Sequence, residues 1–151
     1  MLLPLELFVI IMRYACKSVV ASLSICSSTL RAQALPFLFH RICLTDSCDT
    51  VVVQKGLPNL QHIVTHVVLK KCRLTTSLWH TLCRFDNLHN LAIVDLSLTT
   101  FRSGSTINLS HLTVESVDFS KSFLRFLATY CVNLKTMTVR NTLTAKTLDT
   151  V

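Results

Sequence analysis

Residues 88–98 read LHNLAIVDLSL, which places an apolar side chain at Leu88, Leu91, Ile93, Leu96 and Leu98. Three other stretches share this phase: Leu60-x-x-Ile63, Leu109-x-x-Leu112-x-Val114 and Leu134-x-x-Met137-x-Val139. Val117 and Phe119 continue the second of these. The stretches start 28, 21 and 25 residues apart, and their internal spacing is steadier than those intervals. Segments with helical periodicity lie between them. Residues 77–85 put Leu78, Leu82 and Phe85 on one face, and residues 121–131 put Phe123, Phe126, Leu127 and Tyr130 on one face. A unit of one short strand and one return helix cannot bury its own leucines. Stacking such units makes a continuous apolar ladder between a parallel sheet and the outer helices.

The spacing follows the LxxLxLxx(N/C)xL grammar of leucine-rich repeats, with Leu96 and Val117 in place of the usual Asn or Cys. The expected fold is α/β: a short N-terminal three-helix segment, then a small, irregular leucine-rich-repeat solenoid with a parallel sheet. Residues 39–44, 67–69, 91–93, 112–114 and 137–139 are predicted as side-by-side parallel strands, because each is reached by a crossover. Leu91, Leu112 and Met137 are expected to be buried.

Upstream, residues 4–15 read as a helix opened by Pro4, with Glu6 in the first turn. Leu3, Leu7, Ile10, Ile11 and Tyr14 share a face, while Phe8 and Val9 make a second side apolar. Further helices are predicted over 18–25, capped by Ser18, and over 27–35, stopping before Pro36. Residues 37–45 read as a strand and 46–55 as a short helix ended by Gly56. The domains are therefore expected at 1–36 and 37–151. Three helices so broadly apolar cannot all be buried in so few residues, so the next segment or a partner must cover them.

The composition excludes several classes of function. Of 151 residues, half are hydrophobic and only 15% charged, which argues against a disordered chain. Two glycines leave no glycine-rich phosphate loop. The formal charge of +7 is spread thinly, with one dense run at Lys70, Lys71 and Arg73, so no nucleic-acid partner is expected. The cysteines number seven, an odd count, and form no CxxC pair. They read as reduced thiols of a cytoplasmic or nuclear protein. His62, His66 and Cys72 lack a regularly spaced fourth ligand, so no metal and no cofactor is expected. No nucleophile elbow or HExxH occurs, and Asp95, Glu115 and Asp118 are isolated acids, so the chain is not expected to be an enzyme. The N-terminal apolar run is too short to span a membrane and meets Arg13.

The opening segment resembles the F-box, the motif that docks a protein onto a Skp-type adaptor in cullin-based ubiquitin ligases. The resemblance is carried by Leu3-Pro4-Leu5-Glu6-Leu7 and Ile11-Met12-Arg13-Tyr14, in the family's register. It continues through residues 21–39 (ASLSICSSTLRAQALPFLF), where Leu30 takes the place of an aromatic before Arg31. Ser27, Ser28 and Thr29 stand where the family has basic residues. The resemblance implies a substrate-recognition adaptor of an SCF-type (Skp–cullin–F-box) ubiquitin ligase. Its partners would be a Skp-type adaptor with its cullin complex and a protein substrate. Adaptor binding would fall to Leu3, Pro4, Leu7, Ile10, Ile11 and Leu23. Substrate binding would fall to residues flanking the ladder: Thr113, Glu115, Thr138 and Arg140. Two other readings stay open from sequence: a repeat scaffold with no role in ubiquitin transfer, and a membrane-associated protein using the apolar N-terminus.

Beyond Arg140 the chain is polar, with Asn141, Thr142, Thr144, Lys146, Thr147 and Asp149, and has no clear helical pattern. A repeat stack needs a polar terminal unit, so a truncated array or an exposed edge strand is expected there.

Overall fold

The computed structural model describes residues 4–45, 55, 60–98, 104–115, 117 and 121–140. The predicted helix over 46–55 lies outside the described residues, apart from Lys55. The fold is mixed α/β and divides into two compact units, Met1–Arg41 and Ile42–Val151.

The first unit holds three helices: α1 (Leu5–Tyr14), α2 (Lys17–Cys26) and α3 (Ser28–Phe39). Pro4 stands at the N-cap position of α1 without a side-chain capping bond, and Glu6 in the first turn and Arg13 in the last are each at the end the helix dipole favours. Phe8, Met12, Val20 and Ala34 form the small core, with Ala15, Leu23, Leu30, Phe37 and Leu38 packed around it. Cys16, not Ser18, is the cap residue of α2. The Ser27 hydroxyl accepts the Leu30 N–H at 3.1 Å and caps α3. Ser27→Ala is expected to cost about 1 kcal/mol of helical-unit stability, read by thermal melting.

The expected stop at Pro36 does not occur. Proline removes one N–H from the helix, yet α3 continues to Phe39. Its last turn is held by the His40 N–H donating to the Pro36 carbonyl at 3.2 Å, and Phe37 and Leu38 contribute apolar packing. The strand expected from 37 therefore begins at Arg41, and the boundary between the compact units falls after Arg41.

The second unit is built on a five-stranded sheet. Its strands are β1 (Arg41–Leu44), β2 (His66–Lys70), β4 (Asn90–Val94), β7 (His111–Glu115) and β9 (Thr136–Arg140), lying in that order. The pairings β2–β4, β4–β7 and β7–β9 are all parallel and in continuous register. Two short parallel pairs flank it: β3 (Arg73–Leu74) with β5 (Ser97–Leu98), and β6 (Ile107–Asn108) with β8 (Cys131–Val132). Helix α4 (Thr76–Cys83) lies in the return to β4 and α5 (Lys121–Tyr130) in the return to β9, while the described residues between β4 and β7 hold β5 and β6.

The register lines up apolar rows: Val67, Leu91 and Leu112, then Leu69, Ile93 and Val114, all buried. Helix α4 adds Leu78, Trp79 and Leu82, and α5 adds Phe123, Phe126 and Leu127 to the same core. Trp79 joins the two helices, with its ring centroid 5.0 Å from Phe126 and 5.8 Å from Tyr130 in edge-on geometry. Its indole N–H donates to the Ser105 carbonyl at 2.9 Å, so the large side chain is buried without an orphaned donor.

Main-chain bonds repeat from unit to unit in the turn before each strand. The Thr65 carbonyl accepts from His89 and Asn90, the His89 carbonyl from Ser110 and His111, and the Ser110 carbonyl from Lys135 and Thr136. At the opposite strand ends, Lys71 and Asp95 both take positive φ, 54° each, and donate to the neighbouring strand's Val94 and Glu115 carbonyls. These matched positions correct the phase of the first stretch. The unit containing β2 is Val64-x-x-Val67-x-Leu69-x-x-Cys72-x-Leu74, four residues later than Leu60. Cys72 is buried, and its thiol donates to the Leu44 carbonyl at 3.0 Å.

Met137 is the second correction. It continues the row of Leu112, yet it is 37% exposed, and Val139 is 48% exposed. The cause is position: β9 is the last strand of the order, with β7 as its one strand neighbour among the described residues.

Candidate interaction surfaces

Because side chains alternate across a strand, every second residue of the sheet points away from the core. Three rows result. His66, Asn90, His111 and Thr136 form the first; Val68, Ala92, Thr113 and Thr138 the second; Lys70, Val94, Glu115 and Arg140 the third. The four residues assigned to substrate binding are thus brought together as two directly paired couples, Thr113 with Thr138 and Glu115 with Arg140.

The first row is occupied with itself. Asn90 Nδ2 lies 2.7 Å from His66 Nε2, and Thr65 Oγ1 lies 2.8 Å from His66 Nδ1. His111 Nδ1 bonds to the Thr136 hydroxyl. The second row is small and uncharged. In the third, Lys70 and Arg140 are exposed and Glu115 half-buried. None of these three makes an ion pair among the described residues. The strand over 67–69 was expected, but none of His66, Val68 and Lys70 was named for the sheet face, because the repeat phase was read from Leu60. The spacing of Val64, Val67, Leu69 and Cys72 was the signal that could have found them.

On the helical unit, the outward face of α1 is apolar. Leu7 is 49%, Ile10 52%, Ile11 48% and Tyr14 84% exposed, while Phe8 and Met12 serve the core. Pro4 is exposed at the head of α1. Leu23 packs, partly buried, against the helical core. Leu3 lies outside the described residues. Val19 and Ile25 on α2 are exposed as well.

His62, His66 and Cys72 do not converge. His62 Nδ1 meets Asp86 Oδ2 at 2.6 Å in the open, His66 lies on the sheet, and Cys72 is in the core. No cluster of three His, Cys, Asp or Glu side chains suited to a metal occurs among the described residues. Nor is any described helix long and apolar enough to cross a membrane.

The thiols differ in environment. Burial pushes Cys83 up to about 11, and burial with the charge of Cys83 pushes Cys131 up to about 12. The Ser18 hydroxyl, 3.1 Å away, is the main cause holding Cys16 below the ordinary thiol range. Iodoacetamide is expected to label Cys16 well before Cys83 or Cys131 in the folded chain, as read by peptide mass mapping. The raised thiols also set a pH trend. An unfolded thiol deprotonates near 9.0, whereas folded Cys131 holds its proton to about 12. The unfolded state therefore binds fewer protons in that window, and stability falls as pH rises through it. The decline should be shallower in Cys131→Ala, measured by urea melts at several alkaline pH values.

Comparison with protein-family models, with curated proteins and with solved structures gives no match.

Proposed function

We propose that the chain is a substrate-recognition adaptor of an SCF-type ubiquitin ligase, with the helical unit binding a Skp-type adaptor and the sheet face holding a protein substrate. The observation that carries this reading is the outward face of α1. Leu7, Ile10, Ile11 and Tyr14 form an apolar strip that the small helical core does not use. Such a strip fits a partner surface better than water. The strip lies in the segment that resembles an F-box.

The second unit supports a leucine-rich-repeat reading. Its units follow each other at intervals of 24, 21 and 25 residues from His66 to Asn90, His111 and Thr136. With the corrected phase, residues 64–74 meet the repeat grammar including its Cys, and the Cys72 thiol bonds back to the main chain at the end of β1. A protein of this kind needs no catalytic residue. It holds a substrate near a ubiquitin-charged enzyme and raises the local concentration.

The test is co-purification of the tagged chain with a Skp-type adaptor beside a control F-box protein. Recovery of the adaptor is expected. Its absence where the control succeeds would leave a repeat scaffold without a role in ubiquitin transfer.

A further inference from the structure

We infer that the sheet face takes an extended protein segment carrying two acidic side chains four residues apart, with a non-acidic residue midway. This rests on the reading of that face as the substrate surface, and it names the class of substrate segment.

The third row supplies the charges. Lys70 stands on β2 and Arg140 on β9, with Val94 and Glu115 between them in register. Neither cation has a carboxylate partner among the described residues, although Arg140 is the register partner of Glu115. Lys71 and Arg73 stand exposed just beyond Lys70 and add to the positive field at that end. The second row of Val68, Ala92, Thr113 and Thr138 has small side chains, so a backbone can lie across it. The first row is already hydrogen-bonded within itself and competes little for the ligand.

The spacing sets the pattern. Three inter-strand steps separate Lys70 from Arg140, about 14 Å at the usual strand separation. In an extended peptide, residues four apart are also about 14 Å apart and point to the same side. Carboxylates at those positions reach Lys70 and Arg140 together. The residue midway points to the same side and lies near Glu115, where a third carboxylate would be repelled. Nucleic acid suits the face less well: its phosphates would meet Glu115, and none of the three rows contains Phe, Tyr or Trp for a base to stack on.

The experiment uses the full chain and fluorescein-labelled peptides of threonine and valine with two glutamates. Fluorescence anisotropy should show the peptide with glutamates four apart binding about tenfold more tightly than its glutamine counterpart, since two exposed ion pairs together supply about that factor. It should also exceed the peptide with glutamates two apart. Binding should weaken with added salt. The double variant Lys70→Glu, Arg140→Glu should lose the preference with its near-ultraviolet dichroism unchanged. Glu115→Gln should narrow the gap between the two glutamate spacings. Equal binding of the glutamate and glutamine peptides, no binding of either, or tighter binding of an oligothymidylate would overturn the inference. The adaptor co-purification reports separately on α1. An unsubstituted chain that fails to recover the adaptor yet shows the peptide preference fails the first reading alone, and one that recovers the adaptor without the preference fails this one alone; Ile11→Asp should lose the adaptor and keep the preference.

Discussion

Leu112→Ala is expected to lower the unfolding free energy of the chain by about 2–5 kcal/mol in urea melts, the cost of a cavity in a packed core. Leu112 is 1% exposed and sits on β7, with β4 on one side and β9 on the other. Leu91 precedes it in the row, and the aromatic side chains of α5 belong to the same core. No neighbour can leave its own strand to fill the gap, so the site collapses poorly. Met137→Ala removes a side chain of similar size from the next position of the same row. Because Met137 is already 37% exposed, its truncation should cost less than half as much. Equal losses at the two positions would mean that the row does not end where the structure ends it.

Ile11→Asp is expected to abolish recovery of a Skp-type adaptor while leaving the chain folded. Ile11 lies on the outward strip of α1, where water already reaches half its surface, so an aspartate there is solvated in the free chain. In an apolar interface the same carboxylate is stripped of water without a partner, at a cost of several kcal/mol, about a thousandfold in affinity. Leu7→Asp should behave alike. Phe8→Asp is the contrast, because Phe8 is in the helical core and its replacement should unfold the helical unit. Circular dichroism separates the two classes. Undiminished adaptor binding by both Ile11→Asp and Leu7→Asp would refute the docking face.

Much of the fold was legible because its main signal is short-range. The L-x-L spacing puts two side chains on one side of a strand, and a helical segment before the next stretch forces a parallel return. The spacing carries residues 67–69 and 112–114, and residues 91–93 have a helical segment directly ahead of them as well. Two features were not legible for physical reasons. Pro36 is a strong local stop, but the packing of Phe37 and Leu38 offsets a single missing hydrogen bond. Leu60 and Ile63 mimic the repeat phase by composition, since leucine and isoleucine are frequent in this chain. The strand over 67–69 was expected, and the register of His66 with Asn90 shows that the unit it belongs to starts at Val64. On the surfaces, Thr113, Glu115, Thr138 and Arg140 were within reach because they alternate with buried residues. Lys70 was not, because the expected strand over 67–69 ends one residue before it.

The shared carbonyls of Thr65, His89 and Ser110 have a consequence for how such a chain can change over generations. Each carries two bonds from the following unit, and all of them belong to the main chain. Neighbouring units are thus joined by groups that every residue but proline can supply. The join itself does not depend on the side chains in those turns, as Thr, His and Ser at the three equivalent places illustrate. The return segments can lengthen or shorten, provided that each strand re-enters at the same phase. For the stack itself, selection then acts mainly on a sparse set of apolar positions. Descendants of one ancestor can drift until their sequences share only that sparse spacing, while the stack of strands they form stays the same.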